Sequence, residues 1–359
     1  MSRYWSDHVA RLTPYTPGEQ PKIDRLLKLN TNEHPYGPSP RALEAIQAAA
    51  NDALRLYPDN ESTALREAVA RYYGVDAAQV MPGNGSDEVL AHVFNALFRH
   101  EGRQLWMPDI TYSFYKTYCK LFDIPVRLIP LADDFSIRPA DYLGQSEVPA
   151  GIIFANPNAP TGKELPLNDI ARIAGGNPDV PVIVDEAYVD FGAESAIALI
   201  AAYPNIVVVQ TLSKSRALAG MRVGYSVASK EITDGILRVK DSFNSYPLDR
   251  LAIAAAVASI DDREYFDEMT HKVIEARTWL TQQLETIGFE VLPSKANFVF
   301  VRHPGHDAAE LAVALRQEGI LVRHFTHARI DQFLRITVGT LEDCQRLCNT
   351  LSELTLKTS

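Results

Sequence analysis

The sequence predicts an α/β fold: a large domain with a mostly parallel sheet flanked by helices, then a smaller α+β C-terminal domain. Three observations carry this. The apolar runs "RQLWM", "PVRLIP", "AGIIFA", "VPVIVD", "NIVVVQ" and "RVGYSVA" are short and do not alternate with polar residues. Helical segments such as "SFYKTYCKLF" and "LNDIARIA" separate several of them. Short unalternating runs between helices are the mark of strands covered on both faces, which are mostly parallel. Further on, "FEVL", "NFVFV", "ILVR" and "FLRITV" interleave with helices near 307–317 and 341–354 as a separate set.

In chain order, residues 1–35 read as an N-terminal arm, with Pro14, Pro17 and Pro21, that joins the small domain. Residues 36–250 form the large domain and 251–359 the small one. "SPRALEAIQAAANDALRLY" is one amphipathic helix with Ser39 as cap and Pro40 in its first turn. "ESTALREAVARYYG" is a second, stopped by Gly74, and "SDEVLAHVFNALF" opens a third after "QVMPGNG". Helices then fill 229–287, including "REYFDEMTHKVIEARTWLTQQLETIG".

Composition narrows the function. The 359 residues are 46% hydrophobic and 22% charged, with a net charge of −10 and no run of basic residues. That argues against nucleic acid as the main partner but leaves room for small anions. No apolar leader or membrane-length stretch occurs, so the expectation is a cytoplasmic protein. Three scattered cysteines make no disulfide framework; Cys344 and Cys348, four apart, read as packing or surface residues, and no metal is expected.

Ligands of open α/β sheets bind beyond the carboxyl ends of the strands. After "QVM" come Gly83, Gly85, Ser86 and Asp87 at a helix start, where free N–H groups suit an anion. After "AGIIFA" comes the polar turn "NPNAPTG"; after "VPVIVD", Asp185 closes the strand and Tyr188 follows three residues on. After "NIVVVQ" come Thr211, Ser213 and Lys214, and then Arg222. Each alone reads as a cap, a loop group or a surface lysine. Together they put an anion cradle, an acid, a phenol, a lysine and an arginine on one sheet edge. Neither GxGxxG nor a P-loop is present.

These stretches, with "LNTNEHPYGPSP", "RLYPD", "DEAYVDF", "TLSKSRALAGMRVG" and "LRITVGT", resemble the fold type I pyridoxal-phosphate aminotransferases over nearly the whole chain. The subgroup most resembled is the histidinol-phosphate aminotransferases. The resemblance implies pyridoxal 5'-phosphate held by Lys214 as a Schiff base, with Lys214 also shuttling a proton. It implies Asp185 against the ring nitrogen, Tyr188 against the ring phenolate and Tyr112 stacked on the ring. The phosphate would fall to Gly85, Ser86, Asp87, Thr211, Ser213 and Arg222, and Tyr57 would reach it from the neighbouring subunit of a homodimer. Ala159 stands where relatives usually carry asparagine before "PTG"; either Asn158 or Asn156 compensates, or the contact is missing. Substrate contacts are implied for Tyr15, Asn32, Arg323 and Arg335, the last binding a carboxylate or a substrate phosphate.

The activity implied is transfer of the amino group between histidinol phosphate and 2-oxoglutarate, within histidine biosynthesis. Within the family, an aromatic or other amino-acid aminotransferase remains open, as does a decarboxylase acting on a phosphorylated amino acid. A ligand-binding regulator built on this fold is disfavoured, because the arm before the first motif is too short for a winged helix.

Overall fold

A computed structural model describes residues 3–15, 18–19 and 26–357; Pro17 and Pro21 of the expected arm lie outside the described residues. The elements of the first part run α1 Asp7–Arg11, β1 Leu27–Lys28, α2 Pro40–Ala49, α3 Thr63–Tyr73, β2 Val80–Asn84 and α4 Gly85–Leu97. Next come β3 Leu105–Pro108, α5 Phe114–Leu121, β4 Val126–Ile129, β5 Gly151–Ala155, α6 Leu167–Gly176 and β6 Val182–Asp185. Then follow β7 Ile206–Thr211, β8 Val223–Ala228, α7 Lys230–Phe243, α8 Arg250–Asp261 and α9 Arg263–Thr286. The last part holds β9 Glu290–Val291, β10 Phe298–Arg302, α10 Ala308–Gln317, β11 Ile320–Leu321, β12 Arg323–His324, β13 Leu334–Thr337 and α11 Leu341–Lys357.

The large sheet has seven strands in the order β2-β8-β7-β6-β5-β3-β4. Side chains alternate along each strand, so both of its faces are buried: Val182, Val184, Ile206 and Val208 enter one core, and Ile183, Val207 and Val209 the other. The pairs β7–β6, β6–β5, β5–β3 and β3–β4 are parallel, as expected. Strand β8 runs antiparallel to both its neighbours. That reversal has a consequence for the site, because residues just before β8 reach the rim that the other strands reach at their ends.

Two expectations shift. The first long helix stops at Ala49, and a short 3-10 turn, Asp52–Arg55, follows under an Asn51 cap. Asn51 bonds the Ala53 N–H with its side chain, a local alternative to continuing the helix. Helix α8, expected on the small-domain side of a 250/251 division, packs with the large sheet: Ala252, Ala255, Ala256 and Ile260 share the core of Val80 and Val227.

The small body is the four-stranded antiparallel sheet β12-β13-β10-β9, whose core Val299, Val301, Leu334 and Ile336 share with α9 and α11 residues such as Leu280 and Leu347. The described end of the arm joins it, β1 pairing in parallel with β11. No helix among the described residues is long and apolar enough to cross a membrane.

Candidate active site

Strand ends converge where the expected residues stand. Gly85 opens α4 at φ +77°, and an added Cβ there would meet the Arg222 guanidinium at 2.6 Å. Behind it, a Cβ on Gly224 would fall 2.4 Å from the Ser86 N, so β8 lies directly against the start of α4. Arg222 itself occupies the left-handed region at φ +53°, uncommon for a side chain of its size. Its Nη2 donates to Asp87 Oδ2 at 3.1 Å, and the Tyr112 hydroxyl donates to the other Asp87 oxygen at 3.3 Å. The Asp87 carboxylate thus holds the arginine and the phenol, leaving the backbone N–H groups of Gly85–Asp87 to meet an anion. Thr211 and Ser213 complete this corner, their hydroxyls 3.0 Å apart and both buried.

Asp185 ends β6, buried, and takes a 2.6 Å hydrogen bond from the Tyr115 hydroxyl and a 3.3 Å bond from the Ala187 N–H. Burial pushes its pKa up to about 6 against these two donors. No cation pairs with it among the described residues. Tyr188 receives a 2.9 Å bond from Asn32 Nδ2, and its ring stands edge-on to Phe298 at 5.1 Å. The Lys214 Nζ lies 5.9 Å from the Tyr188 ring centre and donates to the Thr31 carbonyl at 3.0 Å.

Asn32, also at positive φ (+56°), is fixed by Thr337 on β13 and by Asn297 just before β10. It therefore ties the arm and small body to Tyr188. Arg323 and Arg335 stand directly opposite each other on β12 and β13. Like charges in that register repel, and neither arginine has a carboxylate partner among the described residues. Arg335 donates to the Asn30 carbonyl at 2.9 Å, and its Nε lacks a partner. Burial first, and the Arg323 charge after it, lower its pKa. Tyr15 rests on Phe114 at 4.9 Å, and Tyr15 and Tyr112 both act electrostatically on Arg335.

Asn158 donates to the Ile110 carbonyl at 3.1 Å and to Thr161 at 3.2 Å, while its buried Oδ1 has no partner. Asn156 is engaged with the Leu165 backbone through both of its polar atoms. Ala159 packs with Tyr188, Ala296 and Phe298. Tyr57 is not brought to the others within one chain: it is 79% exposed and stacks on Tyr246 at 4.8 Å.

The sequence matches the family of class I and II aminotransferases over residues 24–351. The chain belongs to the class I and II aminotransferases. This aminotransferase is 60% identical to histidinol-phosphate aminotransferase 1 of Bordetella parapertussis, with 99% of each chain covered. It is equally 60% identical to histidinol-phosphate aminotransferase of Aromatoleum aromaticum, again over 99% of both. A histidinol-phosphate aminotransferase of Sinorhizobium meliloti, solved with pyridoxal-5'-phosphate, shares its fold at TM-score 0.88 and 24% identity, over 100% of this chain and 99% of that one.

Sequence reading missed Tyr115 and Thr31. Tyr115 falls three residues after Tyr112 at the start of α5, a helical spacing that could have drawn notice. The Thr31 carbonyl left no trace in the sequence, because a backbone group has no residue type.

Proposed function

We propose that this aminotransferase transfers the amino group of histidinol phosphate to 2-oxoglutarate, giving imidazole acetol phosphate and glutamate, with pyridoxal 5'-phosphate on Lys214. Full-length 60% identity to relatives of that name supports the substrate. The observation that carries the reading is the facing pair Arg323 and Arg335, free of carboxylates among the described residues and able to receive a dianionic phosphate. A substrate with one carboxylate would need only one of them.

The residues fit the cofactor. The unpaired Asn158 Oδ1, the buried Asp185 without a cation and the glycine cradle against Arg222 are all groups with capacity to spare. The cofactor would supply an aldehyde for amines to join and a pyridinium ring that draws electrons from the carbon losing its proton. Lys214 would hold it covalently, and its freed amine would then carry the proton at the substrate carbon. Asp185, ionised, would hold the ring nitrogen's proton. Tyr188, oriented by Asn32, would donate to the ring oxygen, and Tyr112 would cover the ring face. Gly85, Ser86, Thr211, Ser213 and Arg222 would bind the phosphate, freeing Arg222 from Asp87. Tyr15 would close over the substrate beside Arg335.

We further read the working unit as a homodimer in the cytoplasm, with the exposed Tyr57 of one subunit reaching the partner's phosphate corner. The test is an absorbance spectrum of the protein with pyridoxal phosphate. A visible band present in the native chain and lost in Lys214→Ala is expected. Histidinol phosphate should bleach it and 2-oxoglutarate restore it. Bleaching by glutamate or an aromatic amino acid but not by histidinol phosphate would refute the substrate and leave the class standing.

A further inference from the structure

The turn after β6 carries three acids, and only the first belongs to the site described. Alternation places Asp185 and Thr211 toward one face of the large sheet and Glu186 and Gln210 toward the other. Gln210 is held there by four groups. Its amide donates to Glu186 Oε2 at 2.8 Å and to Ser195 at 3.5 Å, and its oxygen accepts from the Tyr73 and Tyr225 hydroxyls at 2.6 and 2.7 Å. The lysine loop therefore leaves β7 from a fixed base.

The next anchor lies one residue beyond Lys214. The buried Ser215 hydroxyl donates to Asp190 Oδ2, and Asp190 sits in the same turn as Asp185 and Tyr188. Arg216 then leads away from the site: its guanidinium covers the Phe266 ring at 3.7 Å and donates to the Ser259 carbonyl. Ala217 turns the chain at φ +54°, and the Leu218 N–H closes the loop on the Leu212 carbonyl at 3.0 Å. Between Gln210 and Arg216, the Asp190–Ser215 bond is the side-chain link from the lysine loop to the turn carrying the acid and the phenol. Among the described residues, no side-chain hydrogen bond or ion pair joins Asp190 to a residue expected to touch cofactor or substrate, so it acts through Ser215.

We propose that Asp190 is a positioning residue which, through Ser215, holds the Lys214 amine in register with Asp185 and Tyr188. This rests on the reading of Lys214 as the covalent anchor. Four variants test it: Ser215→Ala, Ser215→Thr, Asp190→Asn and the double variant Ser215→Ala with Asp190→Asn. Each is stripped of cofactor and mixed with pyridoxal phosphate. The growth rate of the visible band is followed, with borohydride trapping and peptide mass spectrometry reporting attachment at Lys214. Ser215→Ala, which removes the bond, should slow attachment about tenfold, the worth of one hydrogen bond to a charged group, and Asp190→Asn, which keeps an acceptor without the charge, should slow it by a smaller factor. Ser215→Thr, which keeps the hydroxyl, should attach at the native rate. The double variant should be no slower than the slower single one, because all three weaken or remove the same bond.

A purely structural role would lower the melting temperature of the cofactor-free protein and leave the attachment rate unchanged, which overturns the proposal. Multiplying effects in the double variant overturn it as well. If Asp190→Asn does not fold, the Ser215→Ala and Ser215→Thr pair decides alone. Absence of any band in the native protein removes the anchor reading itself, whereas a native band with an unaffected Ser215→Ala removes only the role of Asp190.

Discussion

Asp185 and Glu186 are adjacent and both buried, and burial makes both costly to ionise. Burial raises Asp185 to about 6 and Glu186 to about 7, although Glu186 accepts from Ser195, Ala196 and Gln210. An acid whose folded pKa lies above its unfolded value, here 3.8, costs stability when ionised. That cost is absent below pH 3.8, grows as pH rises, and is complete above about pH 6. Asp185→Asn should therefore stabilise the cofactor-free protein at pH 8, by up to about 3 kcal/mol, and give no gain below pH 4. Urea unfolding at the two pH values checks this; equal effects at both would refute it. The same variant should lose turnover at pH 8, so stability and activity move in opposite directions. Removing only the hydroxyl, Tyr115→Phe, should raise the Asp185 pKa further and cut turnover roughly tenfold, with the acid limb of the rate profile moved to higher pH. As candidates, Lys214 and Asp185 stood out in the sequence because each follows or ends an apolar run, and Tyr188 because it comes three residues after Asp185. Tyr115 did not, because its partner lies seventy residues away.

At the scale of elements, strand direction was the least legible feature. "RVGYSVA" reads like any other buried run, and nothing in its composition marks β8 as reversed. The reversal is what brings Arg222, which precedes its strand, to the rim where Asp185 ends its strand and Lys214 follows its own. Gly224 is the price of that arrangement, since no side chain fits against the α4 start. Gly224→Ala should destabilise the protein by roughly 1–3 kcal/mol and weaken phosphate retention, because Ser86 must move away. Thermal unfolding and equilibrium dialysis with pyridoxal phosphate would show both losses together. Stability lost with unchanged retention would mean that the start of α4 does not bind the phosphate. The break after Ala49 was hidden for a different reason: the apolar period continues past it, while the Asn51 cap wins locally.

Across the whole molecule, the proposed substrate pocket would draw on both bodies and the arm. Arg323 and Arg335 come from the small sheet, Tyr112 and Lys214 from the large body, and Asn32 links them. On the proposed roles, Arg335→Gln should raise KM for histidinol phosphate and for 2-oxoglutarate by about tenfold to a hundredfold. Arg323→Gln should raise it for the phosphate substrate alone. Steady-state kinetics with each substrate varied separates the two; equal effects of Arg323→Gln on both would end its assignment to the phosphate. The role proposed for Tyr57 would need a second chain, and a single sequence offered only its motif. Sedimentation should give twice the 39.8 kDa chain mass.

The loop from 212 to 222 begins and ends in neighbouring strands of one sheet, so Lys214 and Arg222 share a tether fixed at both ends. Lengthening it by one residue would put amine and guanidinium out of step with each other, and no helix crossover is there to absorb the slack. Inserting a residue in this stretch is therefore expected to cost more activity than exchanging one.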